Sequence, residues 1–227
     1  MARLGEATLA PMSDGSATRG LELGLELTGW SVAACALLIA PFAHIWWDRP
    51  IAEAARSHGL LESQVLQWTT ELGEGVWWLA PSAVLFAVAA IQKRHNLARW
   101  AFALFVAVAG SGLLTILAKF LSGKTRPKRW FEAQDFGFYP LTYGYDYNSL
   151  PSGHATTAGA AAMVLALAFP RAAPVILPLG VLLATTRVAI QAHYLSDICV
   201  GLAMGISCAI LTFVVWRRWW PTSVPRA

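Results

Sequence analysis

The sequence predicts an all-α, polytopic membrane protein of six transmembrane helices, with an interfacial helix after the first span. Three observations carry this. The 227 residues are 56% hydrophobic and 13% charged, about half the roughly 25% charged content of a soluble domain, and mean hydropathy is +0.51. Apolar stretches recur at lengths close to the roughly 20 residues that cross a bilayer, joined by short polar connections with no room for a separate soluble domain. Tryptophans cluster where these stretches end, the depth at which an amphipathic ring prefers the headgroups.

Residues 1–27 are polar and of mixed charge. They are expected to form an N-terminal cytoplasmic tail, and because no apolar signal core is visible, the first span should serve as its own insertion signal. Residues 28–220 should form one membrane domain, and residues 221–227 a C-terminal tail. The first span covers about 28–47 and ends on Trp46 and Trp47. Between Ile51 and Thr70, Leu60, Leu61, Val65, Leu66 and Trp68 alternate with Glu and Arg, a pattern suited to helix lying along the membrane surface. The second span, 76–92, opens with Trp77 and Trp78; the third covers 97–118, the fourth 155–170, the fifth 173–191 and the sixth 197–216, before Trp219 and Trp220. Pro41, Pro81, Pro174 and Pro178 fall within spans and should kink them, as bundled membrane helices tolerate. Cys35, Cys199 and Cys208 sit in apolar stretches without metal-ligand spacing, as small apolar residues do.

Basic residues set the orientation. Lys93, Arg94 and Arg99 follow the second span, Arg171 the fourth, and Arg217, Arg218 and Arg226 the sixth, so those ends should be cytoplasmic. The acidic loop after the first span, with Asp48, Glu53, Glu62, Glu71 and Glu74, then lies on the opposite side, with the loops that hold Lys119 to His154 and His193. Lys119, Lys124, Arg126, Lys128 and Arg129 make the third loop the most basic, which fits charges kept for a site rather than for topology. The net charge of +4 sits in connections between spans, so nucleic acid is excluded as a partner and the bilayer is implied.

Three constellations on that face can do chemistry. Lys119, Arg126 and Arg187 can surround the oxygens of a phosphoryl group, the arginines bidentately and the lysine as a compact charge; singly, each would pass for an interfacial anchor. Pro151 and Ser152 stop the preceding chain and cap a helix starting near Gly153, whose free N–H groups suit an anion. His154, in the first turn, can protonate a leaving oxygen; the bland reading is a cap followed by a buried histidine. His193 and Asp197 are four apart, so if helix runs through both, the carboxylate fixes one imidazole nitrogen and frees the other to attack phosphorus. No carboxylate cluster suits magnesium, and the cations would perform its charge-stabilising role, so no metal or other cofactor is expected. The loop 127–150, rich in aromatics, is placed to cover the site.

Lys119, Arg126 and Pro127, then Pro151 to His154, then Arg187, His193 and Asp197, resemble in order and spacing the three motifs of the type 2 phosphatidic acid phosphatase family of integral membrane lipid phosphatases. The resemblance implies a phosphohistidine at His193 oriented by Asp197, with His154 as acid for the leaving group and then base for water. It also implies phosphate binding by Lys119, Arg126, Ser152, Gly153 and Arg187. One departure is Thr186, where the family commonly has Ser. The implied substrate is a lipid phosphate or pyrophosphate, such as undecaprenyl pyrophosphate, phosphatidylglycerol phosphate, phosphatidate or lipid A, met at the outer face of a bacterial-type inner membrane. Lys124, Lys128 and Arg129 add charge that favours a pyrophosphate or a large anionic headgroup. Competing readings are a lipid phosphotransferase with the same phosphohistidine and a non-enzymatic lipid-binding or transport protein, which leaves both imidazoles without a task. A vanadate haloperoxidase is disfavoured by the six apolar spans.

Overall fold

The computed structural model describes residues 14–219, and among them the secondary structure is helical apart from one antiparallel bridge between Lys124 and Phe138. In chain order the α-helices are α1 (Asp14–Phe42), α2 (Asp48–Ser57), α3 (Gln64–Glu71), α4 (Val76–Ile91), α5 (His95–Ser122), α6 (Pro127–Ala133), α7 (Gly153–Ala168), α8 (Ala173–Ala189) and α9 (Leu195–Trp219). Five helical segments are long and apolar enough to cross a membrane, and α7 is a shorter apolar helix, giving the six-membered plan. Trp220 and Arg226 lie outside the described residues.

The first helix begins at Asp14, inside the polar stretch 1–27. Helix is favoured there because the stretch has partners: Arg217 near the end of α9 donates to Glu26 at 2.8 Å, and Glu22 lies in the field of Arg217 and Arg99. Arg99 is itself buried, so it serves this internal cluster as well as topology. Just beyond Pro41 the α-helix gives way to a π-turn, Ala43–Trp47, and then runs on as α2. The surface segment is therefore a continuation of the first span, followed by a short 3₁₀ turn and α3, which Ser63 caps by accepting from the Leu66 N–H. Pro174 lies in the first turn of α8, where its missing N–H has no intrahelical partner to lose; Pro81 and Pro178 lie inside their helices.

The buried centre is α7 against α9, and small residues decide it. A Cβ on Gly205 would collide with the Thr156 carbonyl oxygen, one on Gly201 would stand 2.6 Å from that of Ser152, and one on Gly159 2.9 Å from that of Leu202. Glycine at these positions lets two backbones touch, the close packing by which membrane helices associate when hydrophobic exclusion cannot drive them together. Around this seam Met163, Leu167, Ile206, Ile210 and Phe213 fill the core with Val108 of α5. Many large apolar side chains point outward, among them Leu38, Ile91, Leu113, Ile116 and Leu182, as a lipid-facing surface requires. Cys35, Cys199 and Cys208 are free thiols.

Alternation of six helices brings the C-terminal ends of α1, α5 and α8 to the same end of the bundle as the N-terminal ends of α7 and α9. That end holds all three constellations.

Candidate active site

The third constellation is built on the junction between α8 and α9. The chain leaves α8 at Ala189 and turns through residues 190–194, with the N–H groups of Ala192 and His193 donating to the Arg187 carbonyl at 3.0 and 3.2 Å. Helix thus does not run through His193 and Asp197, a question their spacing of four had left open. Asp197 occupies the first turn of α9, and its Oδ2 accepts the Tyr194 N–H at 2.9 Å, satisfying a donor the helix start would otherwise leave unpaired. This places His193 Nδ1 3.6 Å from Asp197 Oδ2, an ion-pair distance rather than a hydrogen bond. Ser149 closes the gap: its hydroxyl donates to Asp197 Oδ2, and its oxygen lies 3.4 Å from His193 Nδ1. Burial, with Arg126 and Lys119 nearby, lowers the His193 pKa to about 3 despite the Asp197 carboxylate, so the imidazole is neutral at physiological pH.

The other oxygen of Asp197 is committed too. Lys124 Nζ donates to Asp197 Oδ1 at 2.9 Å, to Asp48 Oδ2 at 2.7 Å and to Ser196 Oγ at 2.6 Å, and it is 1% exposed. Its charge is neutralised inside the protein, and Arg129 pairs with Asp135 at 2.7 Å. Of the three extra cations that favoured a pyrophosphate or a large anionic headgroup, two are internally paired, and Lys128 alone lines the cavity described below.

The second constellation forms as the residue types dictate. Ser152 is extended, with ψ 119°, and its side chain accepts from the Ala155 N–H, so α7 begins at Gly153 with its first amides free. The Ser152 N–H donates to the Asp197 carbonyl at 3.1 Å, and Ser149 N–H to the Lys124 carbonyl at 3.0 Å, which ties the constellations together through backbone. His154 Nε2 is buried with no hydrogen-bond partner. It lies 3.9 Å from Glu74 Oε1 and in the field of Arg187, Lys119 and Arg126.

The cations are distinct in how free they are. Arg126 is anchored by its own loop: Nε donates to the Tyr145 carbonyl and Asn148 Oδ1, Nη1 to the Tyr145 hydroxyl and the Ala192 carbonyl, and Nη2 to Asn148 Oδ1. Most of its five donors are thus occupied, so it supplies mainly fixed charge beside His193. Arg187 is less committed. Its Nη1 donates to Thr70 Oγ1 at 3.2 Å, while Nε is buried and unpaired. Lys119 forms no ion pair among the described residues and feels both arginines. Thr186 spends its hydroxyl on the Leu183 carbonyl of its own helix. A cavity of about 790 Å³, lined by Arg56, Thr70, Arg126, Lys128, Arg187 and Gln191 among others, opens onto the cations.

Lys119, Arg126, His154, Arg187, His193 and Asp197 lie in one another's electrostatic reach, and several others join them. Ser149, Asn148, Thr70 and Gly73 went unremarked in the sequence because hydroxyls, amides and glycines are common in loops, while Tyr145 is one of the aromatics of the loop expected to cover the site. Asp48 looked like one loop charge among several. Its signal was its position, an acid at the very end of an apolar span.

Unpaired nitrogens on Arg187 and His154, the uncapped first amides of α7 and the charges of Lys119 and Arg126 are groups that can receive an oxyanion, with the second imidazole, His193, in the field of the same cations. Residues 100–221 match the PAP2 superfamily. The chain is 33% identical over 183 residues to a lipid A 1-phosphatase of Rhizobium etli, covering 76% of this chain and 78% of that protein. It is 34% identical over 160 residues to a lipid A 1-phosphatase of Rhizobium johnstonii, covering 66% of each. No solved structure matches the chain. With family match, relatives and membrane architecture in agreement, the chain belongs to the PAP2 superfamily and is a lipid phosphatase.

Proposed function

We propose that this phosphatase hydrolyses the phosphate of a lipid A-type glycolipid at the non-cytoplasmic face of a bacterial inner membrane, without a metal, through a phosphohistidine at His193. The observation that carries the mechanism is the pair of buried, unpartnered nitrogens, His154 Nε2 and Arg187 Nε. Burying such groups without a partner costs about 1–3 kcal/mol each, and the oxygens of a bound phosphate are acceptors that would offset it.

In the proposed sequence, His193 Nε2 attacks phosphorus while Nδ1 keeps its proton, directed to Ser149 Oγ and the Asp197 carboxylate. The P–O bond to the lipid breaks, and His154, held as imidazolium by the bound phosphate dianion, donates a proton to the departing oxygen. His154 then takes a proton from water, whose oxygen attacks the phosphorus and breaks the P–N bond. Lys119, Arg187, the fixed charge of Arg126 and the first amides of α7, from Gly153 onward, stabilise the equatorial oxygens. Ser152 acts by capping that helix.

A metal is unnecessary in this scheme because Asp48 and Asp197 are committed to Lys124 and the site presents cations to the phosphate. The glycolipid reading draws on the relatives' names and on the polar cavity, where Gln67, Gln191 and Glu71 offer hydrogen bonds to a sugar headgroup. The outward orientation draws on Lys93, Arg94, Arg171, Arg217 and Arg218 at the opposite end. Phosphate release by purified protein from lipid A, phosphatidate, phosphatidylglycerol phosphate and undecaprenyl pyrophosphate, each with EDTA, tests the proposal. It predicts highest kcat/KM on lipid A; preference for another lipid overturns the substrate, and full dependence on added magnesium overturns the mechanism.

A further inference from the structure

Asp48 touches neither His193 nor the cavity, yet it is 1% exposed, and its contacts with Ser196 and Lys124 lead toward Asp197. Its Oδ1 accepts the Ser196 N–H at 2.9 Å, and its Oδ2 accepts both the Ser196 hydroxyl and Lys124 Nζ, the latter at 2.7 Å. Lys124 in turn holds Asp197 Oδ1 at 2.9 Å. His44, one turn earlier, approaches Asp48 Oδ2 at 3.3 Å and stacks on Phe136.

The local backbone is shaped to deliver this carboxylate. The π-turn at Ala43–Trp47 ends immediately before Asp48, and a π-turn inserts an extra residue that rotates the succeeding helix about its axis, a device common at functional sites. Without it Asp48 would have a different azimuth, and the first turn of α9 would lose its external acceptor.

The charges also sum to a purpose. Asp48, Lys124 and Asp197 together bury one net negative charge beside a neutral imidazole. Attack of His193 Nε2 on phosphorus, with Nδ1 still protonated, makes the ring cationic and the cluster neutral. Removing the Asp48 charge would leave Lys124 opposing that cation with only Asp197 to offset it.

We propose that Asp48 is a positioning residue for the reaction, acting through Lys124 to hold Asp197, and hence His193, in the geometry and field that phosphoryl transfer to the imidazole needs. This rests on the reading of His193 as nucleophile.

The test compares native protein, Asp48→Asn, Lys124→Met, the double variant and His193→Gln, purified in detergent and assayed for phosphate release. Asp48→Asn preserves shape and removes charge. Its kcat should fall by about tenfold or more, the scale of a misplaced catalytic group, with KM within about threefold, since nothing at Asp48 touches substrate. In the Lys124→Met background the same change should have little further effect, because the path runs through the lysine. A kcat within about twofold of native for folded Asp48→Asn, or an equal loss in both backgrounds, overturns the proposal. Should Asp48→Asn not fold, Asp48→Ser removes the same charge, and with it the ion pair to Lys124, in a smaller side chain that leaves room for water; native kcat in that variant overturns the proposal equally. Turnover retained by His193→Gln would instead sink the nucleophile reading, whereas an inert His193→Gln beside a native-like Asp48→Asn sinks the role of Asp48 alone.

Discussion

The hydroxyl of Ser149 donates to Oδ2 of Asp197, and its oxygen stands 3.4 Å from Nδ1 of His193. It bridges an imidazole and a carboxylate that are too far apart, at 3.6 Å, to bond directly. Ser149→Ala leaves the carboxylate short of a donor and the ring less constrained. Expected is a loss of about 1–3 kcal/mol in stability, the range for an unmet buried polar group, and a drop in kcat of about tenfold with KM little changed. Thermal unfolding in detergent and steady-state kinetics read the two separately.

Lys124 joins Asp48 and Asp197 in a fully buried pair of ion contacts. Removing one member of such a cluster leaves uncompensated charge, which costs about 3–5 kcal/mol. Lys124→Met should therefore lower the unfolding midpoint far more than Lys128→Met, which removes a cation from the cavity wall. Equal midpoints for the two variants would contradict the burial argument.

Gly73 packs on His154, the proposed general acid. A Cβ there would meet His154 Cβ and Cδ2, both at 3.0 Å, so Gly73→Ala should push the imidazole aside. That contact calls for a shift of a few tenths of an ångström; since a misplacement of about 1 Å can cost about a hundredfold in rate, kcat is expected to fall by about three- to tenfold while the fold, read by thermal unfolding, is retained. Gly112→Ala in α5, where a Cβ meets nothing within 4 Å, is the control for an uncrowded glycine, with an unchanged kcat expected.

The neutral His193 ties stability to pH. Its pKa falls from the ordinary 6.5 to about 3 because burial penalises the charged ring. The unfolded chain takes up a proton near 6.5 and the folded chain does not. Stability from this group is therefore complete above about 6.5 and is lost as pH falls toward 3, amounting to about 1.5 kcal/mol between pH 6.5 and pH 5. His193→Gln should show a correspondingly shallower loss of stability across that interval. An unchanged slope would place the titration elsewhere.

Much of this was legible in the sequence because the signals were periodic or costly. Apolar length predicted the spans, and Lys119, Arg126, His154, Arg187, His193 and Asp197 stood out because ionisable groups at span ends need a reason. What escaped depended on contacts across many residues. Lys124 has the same local signature whether it faces a phosphate or is buried between Asp48 and Asp197, and only the packing of α1 against α9 decides. Whether helix runs through His193 and Asp197 was left open by their spacing of four; the chain turns there because Asp197 caps α9, a choice that the spacing does not reveal. Ser149 and Gly73 carry no charge, so nothing in composition marks them.

Rapid-quench labelling, with a lipid substrate radiolabelled in its phosphate, decides whether His193 becomes a covalent phosphohistidine. Base-stable, acid-labile label is expected on the native protein within a single turnover, absent from His193→Gln and accumulating in His154→Ala, where water attack lacks its base. Native protein that turns over without acquiring label, or label that persists in His193→Gln, would contradict the covalent mechanism.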